Sequence, residues 1–490
     1  MTATKQYTTA IVWLRRDLRV ADNAALHHAC LAAEHVIPLF ILDETILRRP
    51  DTGAARVAFL LDALRVLDTN LQVRSGRLVV REGKTPDALM QAVQDFRAEA
   101  VFHHREYEPF GQARDAHVKV ALDANGTALH TFKDVALFEA SEIVSHGGHP
   151  YTVFSPYKRI WFDKPADLPL PAPDRVSVPS SAQGIPIPKA DILKFHTEQR
   201  FDCGGETAAQ ELLQRFLQDK VADYGTERDL LAHDGTSRLS RHLHLGTLGM
   251  RTMVEAVRKA AKKGQAKPNP SQEARQEHQT SGGGASSFLN EMAWHDFYLQ
   301  ILAEFPHVAQ GAFRPQFDNL EWENSETLFD AWKQGRTGYP IVDAAMRQMN
   351  GEAWMHNRGR MIVASFLTKD LLIDWRWGER YFMEQLVDGD MAANNGGWQW
   401  AAGTGTDAQP FFRIFNPTLQ GEKFDPNGAY VRRWVPELAK MPTDIIHTPW
   451  KLSRAERAHL GCGEYPDPIV DHAAQRAKAL AIYQKAVPPQ

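Results

Sequence analysis

Three stretches of this 490-residue chain gather reactive residue types at short spacing. Thr236-Ser237-Arg238-Leu239-Ser240 puts three hydroxyls and a guanidinium into five positions. That composition suits phosphate, bound through hydroxyls and backbone N–H groups near a helix start, although a hydroxyl cap beside a solvated arginine gives the same pattern. From Trp354 to Met361 the chain reads WMHNRGRM. Wound as a helix, it sets Trp354, Asn357, Arg358 and Met361 on one face at i, i+3, i+4 and i+7 and turns Met355, Ile362 and Phe366 towards a core. A ring, an amide, a cation and a thioether in one stripe match a pocket for a flat heterocycle; a purely structural stripe is the alternative. Asp388-Gly389-Asp390, followed by Asn394-Asn395-Gly396-Gly397-Trp398, begins like a calcium loop, but Ala392 and Gln399 stand where ligands are needed. No metal is expected. Arg360 and these carboxylates instead suit a buried ion pair that holds hydroxyls or an amide edge, with a simple turn as the other reading. Ten of the twelve tryptophans fall between residues 294 and 450, an excess beyond core filling.

These groups need a frame. Apolar runs at Ala10–Leu14, Val36–Leu42, Leu78–Val80 and Ala100–His103 read as strands, and Ala54–Leu71 and Pro86–Phe96 read as amphipathic helices between them. Residues 1–135 therefore form a parallel, Rossmann-like α/β domain. It lacks a GxGxxG after the first strand and any GxxxxGK[ST], so nicotinamide and P-loop readings lose their phosphate cradle. Seven prolines between residues 165 and 188 mark a connector, assigned to residues 136–205. Residues 206–475 read as a large all-α domain, with helices at Ala208–Leu217, Leu328–Trp332, Val342–Met349, Met361–Leu372 and Arg380–Leu386. Lys262–Ser287 is polar and rich in glycine and proline, and reads as a flexible surface loop.

Composition bounds the answer further. With 43% hydrophobic and 24% charged residues the chain can bury a substantial core. Its three cysteines, Cys30, Cys203 and Cys462, lie far apart, which excludes a disulfide scaffold or zinc cluster and suits a reducing cytoplasm. The first apolar run stops at Arg15 and no later one approaches 18 residues, so neither a signal segment nor a membrane helix is expected. A net charge of -4 excludes a uniformly basic coat while leaving room for a local basic groove.

The motifs together resemble the photolyase and cryptochrome family, most closely class I cyclobutane pyrimidine dimer photolyases. They are TSRLS at 236, NEMAW at 290, GYPIVDAAMRQ at 338, WMHNRGRM at 354 and DGDMAANNGGWQWAAGTGTDAQPFFRIFNP at 388. WLRRDLRVADNAAL near the start is similar to the family's N-terminal domain, so the resemblance spans nearly the whole chain. It implies a helical domain holding FAD, with Tyr224 and Thr236, Ser237, Arg238, Leu239 and Ser240 at the phosphates and Phe288 as an apolar wall. Arg360 would pair with Asp388, and Asp388, Gly389 and Asp390 would lie along flavin and ribose. Asn394 would stand beside flavin N5, where an amide, unlike a carboxylic acid, cannot readily protonate the ring. That favours the fully reduced, anionic flavin used for repair.

The resemblance also implies a substrate, UV-damaged DNA in single or double strands, met by a monomer. Members acting on (6-4) photoproducts carry histidine at the position of Asn357; asparagine offers hydrogen bonds but no usable acid, which points to cyclobutane dimers. Glu291 would bond the lesion, Trp294 and Trp354 would wall it, and Met361 would contact it. Trp400, Arg228, Arg358, Arg413 and Gln420 would complete the DNA face, with His295 in place of the usual arginine. Trp398, Trp375 and Trp322 match the family's chain of electron donors. The implied activity is light-driven dimer splitting by an electron from reduced FAD; a cryptochrome-like photoreceptor is the alternative.

A second, light-harvesting chromophore is expected in the α/β domain. Folate-binding members carry asparagine-glutamate where this chain has Phe110-Gly111. Phe40, Asp43, Arg56, Glu106 and Glu108 lie in segments similar to the deazaflavin-binding subtype, with His244 where some of those proteins have lysine. A deazaflavin or flavin is therefore expected ahead of folate.

Overall fold

A computed structural model describes residues 5–265 and 283–486. Five strands, β1 (Tyr7–Leu14), β2 (Ala33–Leu42), β3 (Val79–Glu82), β4 (Ala100–His104) and β5 (Ala128–Phe132), form a parallel sheet in the order β3-β2-β1-β4-β5. Ile11 lies level with Ile37 on one side and Val101 on the other, so the register aligns apolar side chains across the sheet. The four apolar runs are all strands. β5 adds a fifth, which no such run marks because it contains His130 and Thr131 and is nowhere fully buried.

Helices α1 (Ala24–Ala32), α2 (Glu44–Leu47), α3 (Ala54–Gln72), α4 (Thr85–Phe96) and α5 (Pro109–Asn125) connect the strands. α3 buries Val57, Leu61, Leu64 and Leu71 along one stripe. α5 opens on Pro109 and closes on Gly126 at φ 73°, the usual proline-in, glycine-out punctuation. The strand order reverses between β1 and β4, which opens a crevice at their carboxyl ends.

Contacts divide the chain into two compact units. The first comprises residues 1–197, 202–225 and 237–306, and the second residues 198–201, 226–236 and 307–490. The first adds α6 (Phe154–Asp163), α7 (Glu206–Asp219), α8 (Tyr224–Glu227, its last two residues in the second unit), α9 (Ser240–His244), α10 (Met250–Gln265) and α11 (Gly284–Glu304). Buried carboxylates tie these helices to the segments that follow β1 and β5. Glu206 accepts from the Val20 and Ala21 amides at 2.9 and 3.0 Å, and Asp22 lies 2.8 Å from Arg251. Asp296, on α11, accepts from the Leu137 and Phe138 amides and, at 2.8 Å, from the Trp161 indole. Of the expected Lys262–Ser287 loop, both ends are helical, since α10 runs on through Gln265 and α11 begins at Gly284; residues 266–282 lie outside the described residues.

The second unit holds α12 (Glu326–Lys333), α13 (Pro340–Glu352), α14 (Asn357–Ser365), α15 (Trp375–Gln385), α16 (Met391–Ala402), α17 (Pro417–Phe424), α18 (Ala429–Trp434), α19 (Arg454–His459) and α20 (His472–Ala486). Trp332, Met346, Phe366, Trp375, Trp398 and Tyr430 belong to its core. The expected continuous helix from Met361 to Leu372 is interrupted, because Phe366–Asp370 are wound as a π-helix. That turn carries Lys369 into the core, where its amine donates to the Ala402 carbonyl at 2.7 Å and burial holds its pKa far below the ordinary lysine value. Among the described residues no helix is long and apolar enough to cross a membrane, and no cluster of His, Cys, Asp and Glu could hold a metal.

Candidate functional site

In the second unit the site begins at a break between two helices. α13 ends on Ala353 at φ 53°, and the His356 ring caps α14 by accepting the Arg358 amide at 3.1 Å. The expected single face from Trp354 to Met361 is therefore corrected. Trp354 precedes the helix, so it shares no helical face with Asn357, Arg358 and Met361. Those three lie on the less buried side of α14, while Met355, Ile362 and Phe366 are buried as expected. Arg358 is held 2.8 Å from Asp229 and lies 4.2 Å over the Phe424 ring.

Arg360 pairs with buried Asp388 at 2.8 Å and also donates to the Met355 carbonyl at 2.9 Å. Asp390 caps α16 by accepting the Ala393 amide at 3.0 Å. One turn on, the Asn394 side-chain nitrogen donates to the Glu379 backbone carbonyl at 2.9 Å. A carbonyl only accepts, so the amide nitrogen must face it, and the Asn394 Oδ1 is left as an acceptor with no partner among the described residues. Asp390, Asn394 and Gly397 share a helical face, and a Cβ built on Gly397 would meet nothing within 4 Å. Open space thus runs beside the unused acceptor. Beneath it, the Glu379 side chain takes one bond, 2.8 Å from Asn395, and burial pushes its carboxyl up to about 7.

Trp398 and Trp375 are buried in one core, and Trp322 packs against it. Gly378 explains how Trp398 fits: a Cβ there would lie 2.1 Å from the indole, so only glycine lets that ring rest on α15, one turn from Trp375. Trp322 meets Tyr483 edge-on at 6.3 Å. The indole N–H groups of Trp398 and Trp322 are buried without a partner among the described residues.

The first unit contributes a stripe along α11. Glu291, Trp294 and His295 are partly exposed, whereas Met292, Ala293, Asp296 and Phe297 between them are buried. Trp294 stacks on Phe154 at 3.6 Å with an interplanar angle of 11°, which fixes its ring. His295 Nδ1 stands 3.3 Å from Asp296. Phe288 packs against Phe216 and Tyr224 at 4.6 and 5.2 Å. Arg238 adopts φ 53° just before α9, and the Ser237 hydroxyl accepts the Leu239 amide at 3.3 Å. Of the TSRLS segment, Thr236 belongs to the second unit and Ser237–Ser240 to the first. Arg228, Trp400, Arg413 and Gln420 all lie in the second unit; Arg413 is exposed, while the Gln420 Oε1 is buried without a partner among the described residues.

Residues 10–174 match the family described as DNA photolyase, and residues 288–485 match the FAD binding domain of DNA photolyase. A deoxyribodipyrimidine photo-lyase of Halobacterium salinarum is 40% identical over 490 residues, covering 97% of this chain and 99% of the relative. The chain belongs to the photolyase/cryptochrome family. Among solved structures, a class III photolyase from Agrobacterium tumefaciens superposes with a TM-score of 0.88 at 36% identity, covering 99% of this chain and 98% of that one. An archaeal photolyase from Sulfolobus tokodaii, described as holding two FAD molecules, gives 0.81 at 33% identity over 98% of this chain and 100% of its own.

The residues of this photolyase-family chain fit FAD. Reduced flavin presents an N–H at N5, whose hydrogen bond the unused Asn394 oxygen can accept, and the Arg360–Asp388 pair supplies both a cation and acceptors. In the α/β sheet the antenna candidates are differently placed. Asp43 accepts from Thr45 and Thr85, both backbone and hydroxyl, and so caps two helices. Arg56 donates to the Asp51 carbonyl at 2.6 Å, Phe40 is buried, Glu106 lies 4.0 Å from Arg15, and Glu108 lies 2.7 Å from Arg16. A Cβ on Gly111 would lie 2.8 Å from that of Glu106, so the folate-type side chain at 111 does not fit.

Four participants escaped sequence reasoning: Phe154 behind Trp294, Asp229 beside Arg358, Gly378 beneath Trp398 and Glu379 beneath Asn394. Gly378 had a signal, a glycine inside a helical run next to Trp375 and Trp377. The others depend on pairing between distant segments.

Proposed function

We propose that this chain repairs cyclobutane pyrimidine dimers in DNA by light-driven electron transfer. The observation that carries the reading is Asn394, whose amide is turned by the Glu379 carbonyl so that its oxygen stands unused beside open space. When bound, reduced FAD supplies the excited electron that splits the dimer and receives it back. Asn394 Oδ1 would accept a hydrogen bond from the reduced ring's N–H and so discourage loss of that proton. Arg360 and Asp388 would orient the ring edge, Asp390 and Gly389 the ribose, and Tyr224, Phe288 and Thr236–Ser240 the remainder of the cofactor.

Base-flipping enzymes, photolyases among them, extrude the target from the stack and read it in a pocket. Glu291 bonds the lesion, Asn357 offers an amide without an acid, Met361 contacts the dimer, and Trp294 and Trp354 supply flat walls. The Phe154 stack presets Trp294, which lowers the ordering cost on binding. Trp400, Arg228, Arg413, Gln420 and His295 extend the DNA face, and a phosphate reaching Arg358 competes with Asp229. Trp398, Trp375 and Trp322 would hold the oxidisable rings that supply electrons to a bound flavin. Any antenna in the α/β domain is of flavin or deazaflavin type rather than folate, in keeping with the crowding at Gly111; the working unit is a monomer.

The test is loss of dimers from irradiated oligothymidylate with purified, reduced protein, compared in light and darkness. Repair confined to the illuminated sample is expected; equal dimer content in both would end the proposal.

A further inference from the structure

α6 is two-faced. Phe154, Tyr157 and Trp161 are buried at 5%, 1% and 0% exposure, and the Trp161 indole is tied to Asp296 of α11. The opposite face, with Ser155, Lys158 and Arg159 at i, i+3 and i+4, borders a groove of about 480 Å³ whose far wall is Ser286 and Asn290 of α11. Ser286 and Asn290 continue, at steps of four, onto Trp294, so the groove and the proposed lesion wall lie on one helix face. The two walls also meet behind that wall, where Phe154 of α6 stacks on Trp294. Neither Lys158 nor Arg159 forms an ion pair among the described residues. Lys158 instead lies 5.9 Å over the Phe154 ring. One acid, Asp163, also borders the groove.

Two cations without carboxylate partners, two hydroxyls and an amide around an open groove are a donor set for phosphate oxygens. We propose that the α6–α11 groove is a phosphate-binding extension of the DNA surface, in which Lys158 and Arg159 engage the backbone of the strand flanking the lesion. Ser155, Ser286 and Asn290 supply neutral hydrogen bonds that fix register. This rests on the reading that Trp294 meets the lesion, since the shared helix face is what carries the strand from one place to the other. Flanking nucleotides, which the lesion pocket does not read, then contribute affinity without sequence preference.

The test is binding of FAD-loaded protein to a duplex with a single cyclobutane dimer, measured across ionic strength. Wild type is compared with the Lys158→Ala/Arg159→Ala double variant, with bound FAD confirming the fold of both. Losing two phosphate contacts should lower the slope of log affinity against log salt by about 1.8, at about 0.9 per contact. The exchange Lys158→Arg with Arg159→Lys should restore it, and Asp163→Asn should strengthen binding. On a dimer-containing oligonucleotide too short to leave the pocket, the double variant should bind like wild type. An unchanged slope on the long duplex, or an equal loss on the short one, overturns the groove while leaving the lesion reading intact. A wild type with no preference for dimer-containing DNA overturns the lesion reading and the groove with it.

Discussion

Two carboxylates, Asp43 and Glu379, distinguish the strand ends of the α/β sheet from the helical core of the second unit. Burial pushes Asp43 up, but donors from Thr45 and Thr85 outweigh it and hold the carboxyl below its ordinary range. Burial pushes Glu379 up to about 7, and its bond from Asn395 offsets only part of that. The same contrast holds around each. At the strand ends Arg15 pairs with Asp115 and Arg16 with Glu108, so charges there are matched within the sheet domain. Beside α16 an amide oxygen and a carboxyl whose pKa is raised by burial remain under-supplied. A polar group whose partners all come from its own chain serves the fold, whereas one left short of partners costs stability and marks a place for a ligand.

The contrast breaks most sharply at Trp398. Trp398→Phe should abolish photoreduction of oxidised FAD while reduced protein still repairs dimers, because phenylalanine keeps the packing on Gly378 and removes the oxidisable ring. Flash absorption of the oxidised form checks it, and wild-type photoreduction would remove the helical core's claim to be the redox region. Next, Asp388→Ala leaves Arg360 unpaired and should weaken FAD retention about 10- to 100-fold, or about 1.4–2.7 kcal/mol, read by equilibrium dialysis against cofactor.

Asp43→Ala should do the reverse, leaving FAD content unchanged while lowering unfolding stability by about 2 kcal/mol through two lost caps. The Asp43 contribution is present above its unfolded value of 3.8 and is lost as pH falls through the lower folded value, so the variant and wild type should converge in acid. Loss of a bound antenna with no loss of stability would instead make Asp43 a ligand residue. Glu379 acts through pH alone, with the opposite sign. Its raised pKa gives stability that is full below 4.5 and lost as pH rises through about 7. Glu379→Gln should remove that pH dependence, about 3 kcal/mol, in denaturant titrations between pH 4.5 and 8. An unaltered pH profile would show that Glu379 is not the under-supplied acid.

Much of the frame was legible in residue patterns. Apolar runs mark four of five strands, because β1, β2 and β4 are central and largely buried and the edge strand β3 still buries Val79 and Val80; β5, at the other edge, is nowhere fully buried and escapes that rule. α1 and α5 lack a clean period and were equally silent. The tryptophan and carboxylate positions of the site stood out by type, and Arg360 does meet Asp388 as their chemistry suggested. Spacing misled at Trp354, where a positive φ at Ala353 and the His356 cap end one helix and start another inside an apparently continuous period. It misled again after Ser365, where the winding widens into a π-turn around Lys369.

Residue order alone determined the inventory: which side chains can donate, accept, stack or give up an electron, and the periodicity that sorts strands from helices. Tertiary structure alone decided which of those capacities remain open. Asn394 has a usable oxygen only because the Glu379 carbonyl claims its nitrogen, and Asp43 has none because Thr85 arrives from another turn of the sheet. Hydrogen-bond valence is filled by whatever lies nearby in space, and in a packed chain those neighbours come from distant segments.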